Sequence, residues 1–206
     1  QSGRSTNTIA AAKFSGIPSR LTVAITENPI SAVAQSAGIH IALPWDTPET
    51  VGAKTKGVTC STFILMLAFL ELGLTTGRVS PEHYHVILDA MSAFASNHAE
   101  NIQRIIDWQE RIKKKMALAT CMLILGQKAY LGAAMESALK LLETIHRPLF
   151  AYEFEEYLHG VGNTIGDGNH LLLMMPIGDD RKRMECLCAF AREKGSTCYC
   201  VYMDTP

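Results

Sequence analysis

The sequence predicts an α/β protein, in which two similar αβα sandwiches with parallel, flavodoxin-like sheets are joined by helices. Short aliphatic strands alternate with helices over residues 6–44, and the same alternation restarts after residue 118. Two long helical segments lie between these halves. Alternating strands and helices are typical of a parallel sheet that is covered by helices on both faces. We therefore expect two α/β units with a helical hairpin between them.

The first half begins with a predicted helix over residues 6–14, where alanine and other helix formers follow a hydroxyl-rich turn. Residues 20–26 form a predicted buried strand, because they are rich in β-branched residues and bounded by turn residues. Ser31 is expected to cap a short helix, and residues 39–44 form the next short strand.

Two helices are predicted in the middle of the chain, over residues 59–74 and from Pro81 to beyond Ile112. The basic residues 111–115 close the second helix, where positive charge favours the helix dipole. The longest apolar stretch, Phe63–Leu70, is too short to span a bilayer. We interpret it as part of a buried helix and expect no membrane partner.

In the second half, strands and helices again alternate, at residues 119–125, 131–145, 170–175, 181–192 and 197–203. We place the first subdomain and the hairpin at residues 1–115, and the second subdomain at residues 116–206. A hydroxyl-rich turn that opens onto a helix, such as the one at the start of this chain, normally follows a strand, and a doubly wound domain normally continues after its last strand. We therefore expect the chain to be truncated at both ends.

Composition and cysteine usage restrict the class of protein. The 206 residues are 48% hydrophobic and carry a net charge of −1, which argues against a nucleic-acid partner. No basic-then-apolar signal sequence is visible.

The six cysteines form no C-x-x-C pair, which favours buried thiols in a reducing cytoplasm over a zinc site. On a strand Cys198 and Cys200 would share a face, whereas on a helix Cys186 and Cys188 would point apart.

The segment Gln1–Thr8, QSGRSTNT, is a candidate phosphate site. Hydroxyls of Ser2 and Ser5 flank a flexible glycine, and a helix follows at once. The free N–H groups and the positive dipole end of a helix N-terminus favour a phosphate. Any phosphate would be held by this local geometry, since the chain as a whole is not basic.

A second candidate site lies on the predicted helix 131–145 and after it. Glu136, Lys140 and Glu143 are spaced four and three residues apart, so they share one helix face. An exposed, ion-paired stripe is the usual role of such residues, and a lone histidine such as His159 is more often structural than catalytic. A carboxylate, a lysine and a histidine around one cleft would instead suit proton transfer on a sugar carbon.

Three segments of the chain resemble motifs of the sugar isomerase (SIS) domain family. Gln1–Thr8 is similar to its S-Q-S-G phosphate loop, Glu49–Lys56 (ETVGAKTK) to its E-x-x-V-A-S-T-K segment, and Glu136–Gly160 to E-x-A-L-K-L-K-E followed by E-x-x-H-G. The 16 residues from Glu143 to His159 match the family spacing of catalytic glutamate and histidine. The resemblance covers almost the whole chain. It points to fructosamine-6-phosphate deglycases and to the isomerase half of glucosamine-6-phosphate synthase.

The resemblance implies a role for each matching residue. Gln1, Ser2 and Ser5 would bind the 6-phosphate of a sugar. Glu143 would be the general acid and base at C1 and C2, with His159 assisting ring opening or hydroxyl proton transfer and Lys140 stabilising negative charge. Three further residues in the matching motifs, Gly52, Ala53 and Glu136, are candidate substrate contacts.

The resemblance also implies what the protein does. We expect a cytoplasmic deglycase or deaminase, or an aldose–ketose isomerase, that acts on a 6-phosphorylated amino sugar or fructosamine without a metal or other cofactor. A homodimer with composite active sites is implied. The alternative is a non-catalytic regulatory module that only binds a phosphosugar; it would need the phosphate loop but not the Glu143 and His159 pair.

Overall fold

The structure, a computed structural model, describes residues 2–14, 21–44 and 52–202. The elements found in these residues are α1 (Thr6–Phe14), β1 (Val23–Thr26), α2 (Ala32–Ser36), β2 (Ile39–Ala42), α3 (Lys56–Thr75), α4 (Pro81–Ser96), α5 (His98–Met116), β3 (Met122–Gly126), α6 (Ala129–Ile145), β4 (Leu149–Glu153), α7 (Phe154–His159), β5 (His170–Met175), α8 (Asp180–Glu193) and β6 (Thr197–Tyr202). A 3-10 turn, Val161–Thr164, follows α7. The predicted α/β class with parallel sheets is confirmed.

The chain divides into two compact units, Gln1–Ala99 and Glu100–Pro206. The sequence places the subdomain boundary after residue 115, whereas α5 falls almost entirely within the second unit. Trp108, Ile112 and Met116 explain this, because they pack against the core of the second unit. The assignment of the units as the two family subdomains stays a prediction.

The first unit contains a two-stranded parallel sheet of β1 and β2, in which Val23 lies beside Ile39 and Thr26 beside Ala42. Ser31 caps α2 as predicted, because its hydroxyl accepts a hydrogen bond from the backbone N–H of Ala34 at 3.3 Å. The cap fixes α2 directly after β1, next to the turn that precedes α1.

The second unit contains a four-stranded parallel sheet in the order β4-β3-β5-β6. Every residue of β3 and β5 is buried, as expected for central strands covered on both faces. Ala134 and Ala138 of α6 pack on one face, and Met184 and Leu187 of α8 pack on the other. Burial of a side chain such as Leu187 contributes about 1.5–3 kcal/mol, so packing on both faces stabilises this unit.

Two predicted elements differ from the structure. The single helix expected from Pro81 to beyond Ile112 is two helices, since the chain breaks at Asn97, whose N–H closes α4 on the carbonyls of Ala93 and Ala95. The β4 strand and the α7 helix are not predicted from the sequence. Their signals are weak because β4 has one fully buried residue, Leu149, and α7 has only six residues.

The prediction that Phe63–Leu70 lies in a buried helix is wrong. It belongs to α3, in which only Gly57 and Leu70 are buried. Apolar side chains surround this 20-residue helix, whereas packing on α4 covers one side. Among the described residues, α3 is the helix that has the length and apolar composition to cross a membrane. Core helices of soluble proteins share both properties, so neither assigns it to a membrane.

The two predictions about cysteine faces are confirmed. Cys198 and Cys200 on β6 pack against the same core, and on α8 Cys188 is buried whereas Cys186 is exposed. The sulfur atoms of Cys188 and Cys200 are 3.5 Å apart. Burial and the neighbouring Cys188 raise the pKa of the Cys198 and Cys200 thiols to about 12. These thiols are therefore protonated at neutral pH and poor nucleophiles.

Candidate active site

The predicted phosphate loop lies directly before the N-terminus of α1. The backbone carbonyl of Ser5 accepts a hydrogen bond from Ile9 at 3.0 Å, which makes Ser5 the residue that starts the helix. The first turn contains no acidic side chain. Ser2 and Ser5 are exposed, and neither hydroxyl is bonded to another residue in the described part of the chain. The loop therefore offers hydroxyls and backbone N–H groups to an anion; Gln1, the other predicted ligand, lies outside the described residues.

Gly3 holds this loop against α2. Its φ of 67° is in the left-handed region, and a Cβ at this position would lie 2.1 Å from Oγ of Ser31. The carbonyl of Gly3 accepts a hydrogen bond from Val33 at 3.3 Å. Both the backbone conformation and the close approach require glycine here.

A hydrogen-bonded group of Thr26, Ser31 and His40 lies beneath the loop. The Ser31 hydroxyl donates to Oγ1 of Thr26 at 3.5 Å, and Nε2 of His40 is 2.9 Å from the same oxygen. Thr26 and His40 are not among the site residues predicted from the sequence. The only sequence signal for these two residues is the alternation of strands and helices. It predicts that β1 and β2 are parallel neighbours, but not which residues of the two strands lie side by side.

The second motif is only partly described. Glu49, Thr50 and Val51 lie outside the described residues. Gly52 is exposed and Ala53 half-buried, and both precede the N-terminus of α3. A Cβ on Gly52 would meet open space. Contact of Gly52 or Ala53 with a substrate stays a prediction.

On α6, the structure brings Glu136, Lys140 and Glu143 together as predicted from their spacing. Nζ of Lys140 is 2.7 Å from Oε2 of Glu143 and 3.6 Å from Oε1 of Glu136. The Lys140 side chain is 19% exposed, and the two carboxylates are about twice as exposed. The hydrogen bond that Lys140 donates to Glu143 is the main cause that raises the pKa of Lys140. Lys140 is therefore a fixed positive charge that orients the Glu143 carboxylate.

Glu136 has an unused hydrogen-bond acceptor. Its Oε1 atom is buried and has no hydrogen-bond partner among the described residues, because Lys140 is 3.6 Å away. A buried carboxylate oxygen without a donor is unfavourable, and a ligand hydroxyl or a water molecule would satisfy it.

His159 is the exposed last residue of α7, immediately before Gly160. Glu153 starts this helix, since its carboxylate accepts hydrogen bonds from the N–H groups of Glu155 and Glu156 at 2.6 and 3.2 Å. Arg183 binds Glu155 and lowers the pKa of that carboxyl, and His159 lowers the same pKa to a smaller extent. The α7 helix is thus anchored at its start and by Arg183 of α8.

The topology does not bring Glu143 and His159 together within the unit. Because β3 and β4 are parallel, α6 runs antiparallel to them, and Glu143 lies near the end of the sheet where β4 begins. His159 follows the other end of β4, about 13 Å along the strand. No hydrogen bond or ion pair joins the two residues in the described part of the chain.

The described residues hold no group of three His, Cys, Asp or Glu side chains arranged to bind a metal ion. Among the described residues, the loop offers hydroxyls and N–H groups, and α6 offers two carboxylates and an ammonium group. The first set can bind an anion, and the second can accept a proton and stabilise negative charge.

No family model matches the chain. The chain is 25% identical over 177 residues to the isomerizing glutamine–fructose-6-phosphate aminotransferase of Mesorhizobium japonicum, and 27% identical over 179 residues to that of Corynebacterium glutamicum. Each match covers 85% of this chain but 29% and 28%, respectively, of the relative. The chain therefore spans less than a third of the length of these curated relatives.

The fold is similar to that of several solved structures. A Clostridium difficile 630 protein provisionally named a phosphosugar isomerase has a TM-score of 0.84 at 23% identity, covering 100% of this chain and 58% of that one. The C-terminal domain of glucosamine-fructose-6-phosphate aminotransferase from Francisella tularensis has a TM-score of 0.81 at 17% identity, over 98% of this chain and 57% of that chain. Glucosamine-6-phosphate deaminase from Thermotoga maritima has a TM-score of 0.68 at 24% identity, covering 87% of this chain and 51% of that one.

The structural likenesses show the fold, and the curated relatives add a likeness in sequence over most of the chain. Both agree with the three motifs at the start, middle and second half of the sequence. Together they confirm that the chain resembles the sugar isomerase (SIS) domain family in fold and in sequence.

Proposed function

We propose that this chain is the sugar-binding and proton-transferring part of a phosphosugar enzyme. The reaction would be deglycation, deamination or aldose–ketose isomerisation of a 6-phosphorylated amino sugar or fructosamine. The observation that carries the proposal is the pairing of Lys140 with Glu143, which fixes a carboxylate on the helix where the family has its catalytic glutamate.

The phosphate would bind at the loop before α1. Ser2 and Ser5 would donate hydroxyl hydrogen bonds, Gln1 its side-chain amide, and the first turn of α1 its N–H groups. The absence of an acidic side chain from that first turn supports this assignment, since a carboxylate there would compete with the phosphate.

Glu143 would move the proton. In an isomerase its carboxylate takes a proton from one of the carbons C1 and C2 and returns it to the other, through an enediol or enaminol intermediate. In a deglycase or deaminase the same group serves the rearrangement that releases the amine. Lys140 would stabilise the negative charge that develops on the sugar oxygen. These steps need no metal or organic cofactor.

The position of His159 supports a composite site in a homodimer. Glu143 and His159 lie towards opposite ends of β4, so a single second unit does not place both on one sugar. A histidine supplied by a second copy would complete the site. Localisation in the cytoplasm would suit such an enzyme, because its substrates are phosphorylated sugars.

The competing function is a regulatory phosphosugar-binding module. The phosphate loop and its support on α2 lie within the first unit, and neither uses a residue of α6. Binding without turnover is therefore compatible with the geometry of the loop.

An assay of the full-length protein separates these functions. A panel of 6-phosphorylated fructosamines and hexosamines is tested for release of glucose 6-phosphate, fructose 6-phosphate and free amine. We expect turnover of at least one compound and its loss in Glu143→Gln. Glu110→Gln is the matched control, since Glu110 forms an exposed i,i+3 pair with Lys113 on α5. Tight binding without turnover across the panel would favour the regulatory module.

A further inference from the structure

We propose that His40 is a positioning residue for the phosphate loop and acts on it through Thr26 and Ser31. The ligand part of this inference rests on the proposed function. His40 lies on β2 and does not belong to any motif that carries the family resemblance. Its link to the loop is a continuous series of contacts within the first unit.

The first link is between His40 and Thr26. Nε2 of His40 is 2.9 Å from Oγ1 and 3.3 Å from the carbonyl oxygen of Thr26. The Thr26 hydroxyl donates its own proton to the carbonyl of Asn28 at 2.9 Å. Thr26 Oγ1 must therefore accept from His40, so the proton on the imidazole is carried by Nε2. Thr26 is 1% exposed, so its hydroxyl is shielded from solvent.

The second link is between Thr26 and Gly3. The His40 and Asn28 bonds hold the Thr26 hydroxyl, and this fixes χ1 of a β-branched side chain. Its Cγ2 is then directed at Gly3, 3.3 Å from the point where a Cβ would stand. Ser31, which donates to Thr26 at 3.5 Å, fills the rest of the surface on which Gly3 lies. Rotation of either side chain would change the surface that supports the loop.

The consequence is preorganisation of the anion site. Gly3 lies between the two serines of the loop in the sequence, so a shift of Gly3 moves the backbone that carries both hydroxyls. Binding groups that are already in place avoid the cost of ordering when the anion binds. His40 would thus change the affinity for phosphate without touching it.

Two variants test the inference. His40→Leu removes the donor and keeps an apolar side chain on β2, whereas His40→Gln retains an N–H near the position of Nε2. Binding of inorganic phosphate and of glucose 6-phosphate to the full chain is measured by calorimetry. The Gly3 amide resonance is recorded in the free protein, and Thr26→Val is expected to resemble His40→Leu.

We expect His40→Leu to weaken phosphate binding about three- to tenfold, the value of one neutral hydrogen bond, and to shift the Gly3 resonance. His40→Gln should restore both towards the wild type, although each variant removes the same imidazole ring from the sheet. Unchanged affinity and an unchanged Gly3 resonance in His40→Leu would overturn the inference. Equal losses in both variants would also overturn it, because they indicate a general structural role.

The resonance separates failure of this inference from failure of the proposed function. If the wild type binds neither phosphate nor the sugar phosphate, the assignment of the loop is overturned. The Gly3 shift in the free protein still decides whether His40 sets the position of the loop. If His40→Leu does not fold, the comparison of Thr26→Val with Thr26→Ser gives the same decision, since serine retains the hydroxyl.

Discussion

Nζ of Lys140 lies 2.7 Å from the carboxylate of Glu143 and 3.6 Å from that of Glu136, so one cation separates two carboxylates on the same face of α6. Alone, a stripe of this kind is the common surface feature of a helix. Two features distinguish this group from the Glu110–Lys113 pair of α5. The Lys140 side chain is mostly buried and an oxygen of Glu136 has no hydrogen-bond partner, whereas both side chains of the α5 pair are at least half exposed.

The first prediction concerns Lys140. We expect Lys140→Met to lower kcat by 10-fold or more, because the charge that orients Glu143 is lost. The free energy of unfolding should fall by only about 0.5 kcal/mol for each ion pair that is lost. Lys140→Arg should recover part of the activity. Lys113→Met is the control. Wild-type kcat in Lys140→Met, measured on the substrate found in the panel, would remove Lys140 from the mechanism.

The second prediction concerns Gly3. Gly3→Ala places a methyl group 2.1 Å from Oγ of Ser31 on a residue with a φ of 67°, which costs about 1–2 kcal/mol for the backbone alone. The loop should shift, and phosphate affinity should fall 10-fold or more. Gly77→Ala is the control, since its φ of 70° is also in the left-handed region but its Cβ would meet open space. Calorimetry that finds equal phosphate affinity in the two variants would contradict this account of the loop.

The sequence predicts most of the elements whose signals are local. The predicted bounds of α1 and β5 agree with the structure, and the position of Ser31 after a turn correctly predicts its cap on α2. The support of the loop by His40 could not be predicted, because it depends on the register of β1 against β2 and on a χ1 angle. The burial of α3 could not be predicted either, because its apolar residues lie all around the helix and do not indicate which side packs on another helix.

The third prediction compares two glycines in the second unit. A Cβ on Gly126, at the end of β3, would lie 2.5 Å from the backbone oxygen of Tyr130, whereas one on Gly132 of α6 would meet nothing within 4 Å. Gly126→Ala should lower the free energy of unfolding by about 1–3 kcal/mol. Gly132→Ala should raise it by about 0.5–1 kcal/mol, since alanine is the better helix former. Urea denaturation would measure both, and destabilisation by Gly132→Ala alone would contradict the packing at β3.

The fourth prediction concerns pH and His170. This residue is buried beside the hydroxyl of Tyr199, with Nδ1 and the phenol oxygen 3.2 Å apart, and burial lowers its pKa below the ordinary 6.5. Below pH 6.5 the unfolded chain therefore binds a proton that the folded chain does not yet bind. The contribution of His170 to stability is complete above pH 6.5 and decreases as the pH falls towards its folded pKa.

The measurement is the free energy of unfolding between pH 5 and pH 8 for the wild type and His170→Gln. The wild type should lose more stability on acidification than the variant. His85→Gln, at an exposed position on α4, is the control and should follow the wild type. Parallel curves for His170→Gln and the wild type would show that His170 does not carry this dependence.

The fifth prediction tests the composite site. Glu143→Gln and His159→Ala should each lose about 10²–10⁴-fold in turnover, the usual effect of removing a positioned acid or base. If each site takes Glu143 from one copy and His159 from its partner, a mixed dimer of the two variants contains one intact site. Random mixing makes about half of all dimers mixed, so activity should recover to roughly a quarter of the wild type. Such recovery is impossible if both residues act within one chain, because every site in the mixture would then lack one of them.

The two variants are unfolded and refolded together, and each is refolded alone as the control. Mixtures that stay as inactive as the separate variants, in a preparation where mixed dimers are detected by mass, would assign Glu143 and His159 to the same chain or remove one from the reaction.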